Sequence, residues 1–203
     1  MPVKDIKDDY HLWQSLKEGK QEALASIYFN HFKSLYEYGL RITGDEELVK
    51  DTIQDLFIKI WTNRSNFENI SKIRPYLLVS LRSALYNKIQ QNGKRPVRAL
   101  NTKDEFEMVF SAESKYIAGE ARSLQTQKLL AALNQLTPKQ KEIIYLRYFE
   151  ELDYEEIVRV MNSSLKAVYK LKARGLDALK QLLHLSDILL IVLLASCCCE
   201  ICA

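Results

Sequence analysis

Glycine and proline are scarce in this chain, six and four in 203 residues, and cysteine is missing until Cys197. Each shortage excludes something. Few turn-forming residues, with little alternation of β-branched and polar residues, argue against a sandwich or barrel and for an all-α protein. The four cysteines, Cys197, Cys198, Cys199 and Cys202, crowd into the last seven residues, which is no disulfide framework for a secreted domain. The three histidines, His11, His31 and His184, are scattered without metal-ligand spacing, and no glycine-rich phosphate loop occurs. With no catalytic constellation, the expectation is a binding protein rather than an enzyme, needing no cofactor, no metal and no small-molecule substrate. The opening residues, MPVKDIKDDY, lack the apolar core of a signal peptide, so a cytoplasmic protein is expected. The apolar run Ile188 to Cys199 is twelve residues long, short of the roughly 20 that a spanning helix needs.

Charge is present but segregated. The formal net charge is only +3, with 27% charged residues. Between Asp45 and Asp55, however, stand five acids (Asp45, Glu46, Glu47, Asp51, Asp55) against Lys50 alone. Between Arg82 and Arg98 stand five bases (Arg82, Lys88, Lys94, Arg95, Arg98) and no acid. Faces of opposite sign imply different partners.

Apolar periodicity predicts helices from about Asp9 to Glu18, Gln21 to Ile42 and Asp45 to Arg64, with Gly19 and Gly44 as stops. A fourth starts near Arg74-Pro75 and runs to Asn92-Gly93, with Leu78, Leu81, Leu85 and Ile89 as its stripe. Residues 94–123 lack an apolar period and read as a linker. A second domain follows at 124–185, with a helix from Leu124 to Leu136 and another opened by Thr137-Pro138, whose Gln140 completes a capping pattern, and reaching about Phe149. The predicted organisation is therefore a helical domain over 9–93, a linker, a helical domain over 124–185 and an apolar tail over 186–203.

The stretch Leu152 to Leu179 reads as a helix-turn-helix. Asp153 and Glu156 form a capping box for its first helix, with Tyr154, Ile157, Val158 and Met161 apolar at helical spacing. Asn162 suits the left-handed residue of a tight turn, and Ser164 can cap the next helix. In that helix Val168, Leu171, Gly175 and Leu179 share one face, while Lys166, Tyr169, Lys170, Ala173 and Arg174 share the other. A basic second helix suits a DNA major groove. The bland alternative is a helical hairpin with a solvated lysine face.

Four motifs in order, DxxQDxFxxxW from Asp51, YLxxxxRS from Tyr76, LTPKQxEIxxLRYFE from Leu136 and the helix-turn-helix, resemble sigma factors of the sigma-70 family. The similarity is to the small extracytoplasmic-function (ECF) group, with a region 2-like domain and a region 4-like domain. The resemblance spans most of Leu12 to Leu183. It implies a bacterial promoter-specificity subunit that binds core RNA polymerase, through the largest subunit's clamp helices and the flap, and starts transcription on promoter DNA. Residue by residue, it implies that Asp51, Gln54, Asp55, Phe57 and Ile58 meet the polymerase. Trp61 belongs to the same motif; core packing is the competing reading for both Phe57 and Trp61, and for Trp61 it fits at least as well. It implies that Phe67, Tyr76, Arg82, Ser83, Tyr86, Asn87, Lys88, Lys94 and Arg95 melt and hold the −10 element, the bases tracking the strand and the aromatic rings stacking on unpaired nucleotides; for Tyr76, core packing is the competing reading. Ser164, Lys166, Ala167, Tyr169, Lys170 and Arg174 would face the −35 element. An anti-sigma factor at the membrane is the further partner implied.

The chain departs from the family at Ser83, often Asn, at Ala167, often Thr, at Tyr169, often basic, and at Gly175, usually Ala. The first three leave the promoter sequence open, and the fourth should weaken the helix by under about 1 kcal/mol. The tail from Ile188 lies outside the resemblance. Packing on the second domain, contact with a regulator or membrane surface, and a dispensable end all fit it, and its CxxC lacks a second pair for zinc. Two other functions stay open on the residues alone. One is a stand-alone helix-turn-helix regulator, which would leave the acidic third helix unexplained. The other is an interaction protein that has lost DNA reading.

Overall fold

A computed structural model of the chain describes residues 6–68, 70–91, 106, 108 and 124–184. Lys94 and Arg95, most of the expected linker and the Cys-rich tail lie outside these. The described residues hold α-helices and no strand, and the chain divides into two compact units, Met1–Ala99 and Leu100–Ala203.

The first unit contains α1 (Ile6–Lys17), α2 (Gln21–Thr43), α3 (Glu46–Thr62) and α4 (Ile73–Gln91), with a short 3-10 turn at Arg64–Asn66. Its helix boundaries follow local chemistry. Gly19 and Gly44 both take positive φ, 86° and 68°, a region where a side chain would be strained. The N–H of Gly44 donates to the carbonyl of Leu40 at 2.8 Å, closing α2. Asp45 then caps α3, its carboxylate accepting from the Leu48 N–H at 3.0 Å. The four helices surround fully buried Trp13 and Leu16 of α1, Ile27 and Tyr38 of α2, Ile53 and Ile60 of α3, and Leu77, Leu78, Leu81 and Leu85 of α4. Each such side chain contributes roughly 1.5–3 kcal/mol of transfer free energy. Gly39, near the C-terminal end of α2, lets that helix press close to Val49 of α3.

The second unit contains α5 (Leu124–Asn134), α6 (Pro138–Ile144), α7 (Tyr154–Val160) and α8 (Leu165–Leu183). Gln140 accepts from both the N–H and the hydroxyl of Thr137, at 3.0 and 2.9 Å, fixing the start of α6. The expected helix to Phe149 is α-helical only to Ile144. From Tyr145 to Phe149 it widens into a π turn, in which the Glu150 N–H reaches back to the Tyr145 carbonyl at 3.0 Å. The Tyr145 hydroxyl donates to the Glu150 carboxylate at 2.6 Å within the core, an arrangement that goes with the wide turn. Leu129, Leu133, Ile143, Ile157, Val168 and Leu179 complete that core.

Two residues within the span expected to be a linker, Phe106 and Met108, pack into the second unit. Both are buried. Phe106 lies 5.7 Å from the Tyr145 ring. Asn134 brackets the backbone of Met108, accepting from its N–H at 3.1 Å and donating to its carbonyl at 3.2 Å. The amide side chain thus satisfies a backbone donor and acceptor that would otherwise be stranded.

Candidate functional site

On α3 a period of 3.6 residues brings Asp51, Gln54, Asp55 and Ile58 to the surface, all four exposed. Ile58, 56% exposed, adds an apolar side chain to this row. Phe57 was expected on the same face, but only 6% of it is exposed. Helical geometry turns it towards α2, where its ring meets Tyr28 edge-on at 5.1 Å. Leu24, Tyr28 and Phe32 of α2, with Lys50, Gln54, Phe57, Ile58 and Trp61 of α3, line an open groove of ≈480 Å³. Trp61 is half-buried on its wall, under the Arg64 guanidinium at 4.4 Å.

One end of the groove is tied by a polar cluster. Lys50 pairs with Glu46 at 3.2 Å and sits 5.5 Å from the centre of the Tyr36 ring. Burial and then Glu46 raise the Tyr36 hydroxyl above its ordinary pKa. Lys50, and after it Tyr36, hold the Glu46 carboxyl below the usual range, while Glu46 raises Lys50.

The neighbouring face of the unit is carried by α4 and the loop before it. Arg82 lies 4.6 Å over the Tyr86 ring, Ser83 and Asn87 are exposed, and the Ser83 hydroxyl donates to the Val79 carbonyl at 2.9 Å. Lys88 pairs with Asp55 of α3 at 2.5 Å, so the acidic and basic faces meet at this ion pair. Both side chains reach solvent, and such a pair contributes about 0.2–1 kcal/mol, little enough for a partner to break.

Phe67 and Tyr76 prove to be engaged rather than free. Both pack on Trp13 of α1, at 5.8 and 5.5 Å between ring centroids, and on each other at 5.9 Å. Half-burial raises the Tyr76 hydroxyl above its ordinary pKa. The Trp13 indole N–H donates to the Glu68 carbonyl at 3.2 Å, and Asp9 accepts from the Ile73 N–H at 2.9 Å. Helix α1 therefore holds the loop that leads into α4. Helical periodicity alone says nothing of this role, because the partners of Trp13 stand more than fifty residues away.

In the second unit the expected helix-turn-helix is present in detail. Asp153 and Glu156 exchange capping bonds of 2.8 Å each. Asn162 takes φ 45° in the turn, and the Ser164 hydroxyl accepts from the Ala167 N–H at 3.3 Å to start α8. Val168, Gly175 and Leu179 are buried, whereas Ser164, Lys166, Tyr169, Lys170 and Arg174 are exposed and Ala167 is half-buried. Tyr154, read from sequence only as an apolar position, is a hub. Its ring lies 4.4 Å from that of Tyr169, its hydroxyl accepts from Lys172 at 2.7 Å, and the Arg147 guanidinium lies 4.9 Å from its centroid.

Two family models match, in this order: sigma-70 region 2 over residues 27–95 and sigma-70 region 4 over residues 126–179. Among curated proteins, the ECF RNA polymerase sigma factor SigK of Mycobacterium tuberculosis is 27% identical over 177 residues, covering 84% of this chain and 89% of its own. The RNA polymerase sigma factor YlaC of Bacillus subtilis is 24% identical over 149 residues, covering 73% and 84%. Among solved structures, the sigma factor RpoE of Bartonella quintana, in complex with the anti-sigma factor NepR, matches with a TM-score of 0.55 and 22% identity over 84% of this chain and 99% of its own. CnrH, in complex with the cytosolic domain of CnrY, matches with a TM-score of 0.58 and 20% identity over 89% and 98%. At these identities the structural likeness shows the fold. The models for regions 2 and 4 fall on the two helical units just described, and with these relatives they place the chain in the sigma-70 family, as a sigma factor of the ECF group.

Proposed function

We propose that this chain confers promoter specificity on a bacterial core RNA polymerase by three surfaces, and that it works by binding alone, without chemistry of its own. The exposed row Asp51, Gln54, Asp55 and Ile58 holds the polymerase, with the groove beside it, walled by Phe57, taking an apolar anchor. Acids steer a basic helical partner while the apolar patch supplies the buried contact. Arg82, Ser83, Tyr86, Asn87 and Lys88, continued by Lys94 and Arg95, track the melted −10 strand. Of the aromatic residues there, Tyr86 is the stacking candidate, and Phe67 and Tyr76 serve by shaping the loop against Trp13. Ser164, Lys166, Ala167, Tyr169, Lys170 and Arg174 face the −35 duplex.

The observation that carries this reading is the pairing of one acidic-and-apolar face with one basic face on a single unit, followed by a capped helix-turn-helix with exposed bases on the other. A stand-alone regulator would not need the first of these, and the family does not favour it. RpoE and CnrH were each solved with a regulator bound. This chain would likewise be held by an anti-sigma factor, anchored at the membrane and covering these faces in the cytoplasm. No helix among the described residues is long and apolar enough to cross a membrane.

The test is run-off transcription with purified core polymerase on a fragmented genomic library. Start sites that depend on this protein and share −35 and −10 sequences support the assignment. Charge reversal at Lys166, Lys170 and Arg174 should abolish dependence on the −35 sequence while leaving polymerase binding intact, and Asp51→Ala with Asp55→Ala should do the reverse. Sequence-specific duplex binding by the protein alone, with no affinity for polymerase, would overturn it.

A further inference from the structure

Tyr169 occupies the centre of the exposed face of α8, between Lys166 and Lys170, and is 47% exposed. A lysine or arginine at such a place selects guanine through O6 and N7. A phenol ring cannot. It offers an apolar edge and one hydroxyl, and the apolar feature of the major groove is the thymine C5 methyl.

The ring is also not free to wander. Tyr154, at the first turn of α7, lies 4.4 Å away at an interplanar angle of 40°. Tyr154 is in turn fixed by two cations, Lys172 and Arg147. Its hydroxyl accepts from Lys172, one turn beyond Tyr169, at 2.7 Å. The Lys172 ammonium lies 5.2 Å and the Arg147 guanidinium 4.9 Å from its ring centroid. Arg147 itself donates to the Leu152 carbonyl at 2.7 Å, which ties the cluster to the loop before α7. One side of Tyr169 is thus covered by a supported aromatic ring, and the other is presented outwards.

Resting on the reading of α8 as the −35 element's partner, we propose that Tyr169 is a thymine-specific reader that contacts the C5 methyl group, and that Tyr154 is the positioning residue that holds it in place. Lys172, by this argument, serves Tyr154 rather than a phosphate. Replacing thymine by deoxyuridine removes that methyl and leaves every hydrogen-bonding group unchanged. Loss of one buried methyl weakens binding roughly fourfold.

The experiment uses full-length protein in holoenzyme, bound to promoter DNA taken from the run-off library, with each −35 thymine on either strand changed singly to deoxyuridine. The expected result is one position where the unmodified protein loses about fourfold. Tyr169→Ala and Tyr169→Lys should be indifferent to the methyl there, and Tyr169→Lys should shift its preference towards guanine. Tyr154→Ala should reduce the thymine-to-deoxyuridine ratio at that position and at no other, while Tyr154→Phe, which keeps the ring, should retain most of it. A merely structural role for Tyr154 predicts uniform weakening at every position, and that result would overturn its part. Should Tyr154→Ala fail to fold, Tyr169→Lys at its exposed site carries the test alone. A holoenzyme that reads the −35 element but treats thymine and deoxyuridine alike everywhere overturns this proposal and no other. A holoenzyme indifferent to the −35 sequence overturns the assignment of α8 beneath it as well.

Discussion

Replacing Gly39 by alanine should destabilise the first unit, although alanine is the better helix former. A Cβ placed there would meet Val49 Cγ1 at 2.7 Å, Val49 Cγ2 at 3.1 Å and Leu85 Cδ1 at 3.5 Å. Carbon atoms at rest stand about 3.5–4.0 Å apart. Val49 is fully buried, and a β-branched side chain in a helix has essentially one χ1 rotamer. Its methyls therefore cannot swing aside, and relief requires α3 to move from α2. Overpacking of this kind costs about 1–3 kcal/mol, and the shortness of the contact puts Gly39→Ala in the upper part of that range. The helix-propensity gain of about 1 kcal/mol offsets part of it. The net loss is about 1–2 kcal/mol, or a fall of roughly 4–15 °C in Tm for a unit of this size. Both tryptophans, Trp13 and Trp61, lie in the first unit, so their fluorescence follows its unfolding apart from the second. The double variant Gly39→Ala with Val49→Ala should lose less than the sum of the single changes, by about 0.5–3 kcal/mol of coupling. An unchanged or raised midpoint for Gly39→Ala, or strict additivity, would refute the reasoning.

Other perturbations follow from the same geometry. Asp153→Ala removes one half of the capping box of α7 and should cost the second unit about 1 kcal/mol, read by thermal denaturation followed at helical circular dichroism. Asn134→Ala strips two hydrogen bonds from the Met108 backbone and should cost about 1–3 kcal/mol, with faster hydrogen exchange at the Met108 amide as the local readout. The Tyr36–Glu46–Lys50 cluster contributes nothing to the pH slope near neutrality. The folded pKa of Glu46 is depressed, so its contribution is lost as pH falls through that value. Lys50 and Tyr36 are raised, so theirs are lost as pH rises through their folded values, on the alkaline side. Glu46→Gln should flatten the acid limb of midpoint against pH, and an acid limb unchanged by that substitution would remove Glu46 as a cause.

Features set by neighbours in sequence were legible before any fold was known. Asn162 and Ser164 in the turn, Asp153 with Glu156, and Gly44 closing α2 are all cases where a side chain or a missing Cβ solves a problem within four residues of itself. Features set by distant packing were not. Nothing in MPVKDIKDDY or the residues after it says that Asp9 and Trp13 hold the loop and start of α4. Phe57 stands about 60° around the helix from Gln54, just outside the exposed row, and the position of α2 beside it decides that it is covered. Phe106 and Met108 form too short an apolar pair to show a period, so their burial depends on Asn134 and Tyr145, neither of them a neighbour in sequence.

Gly175 shows why such a reading can identify a residue and still miss its purpose. In sequence it is a defect in the second helix of the helix-turn-helix, worth under about 1 kcal/mol against alanine. In the fold it is buried where α8 crosses α6, and an added Cβ would stand 3.1 Å from Ile144 Cδ1 and 3.5 Å from Gln140 Cβ. Gln140 is the residue that fixes the start of α6 through Thr137. The missing methyl therefore sets how closely α8 approaches α6. The same helix carries Tyr169, where the resemblance to sigma factors often implies a base. A reader that works by fitting an aromatic edge to a methyl group needs its scaffold placed more closely than a flexible lysine does. If α8 faces the −35 duplex as proposed, the two departures are consistent with each other: one would give up charge for shape at the DNA, and the other gives up helix propensity for position behind it.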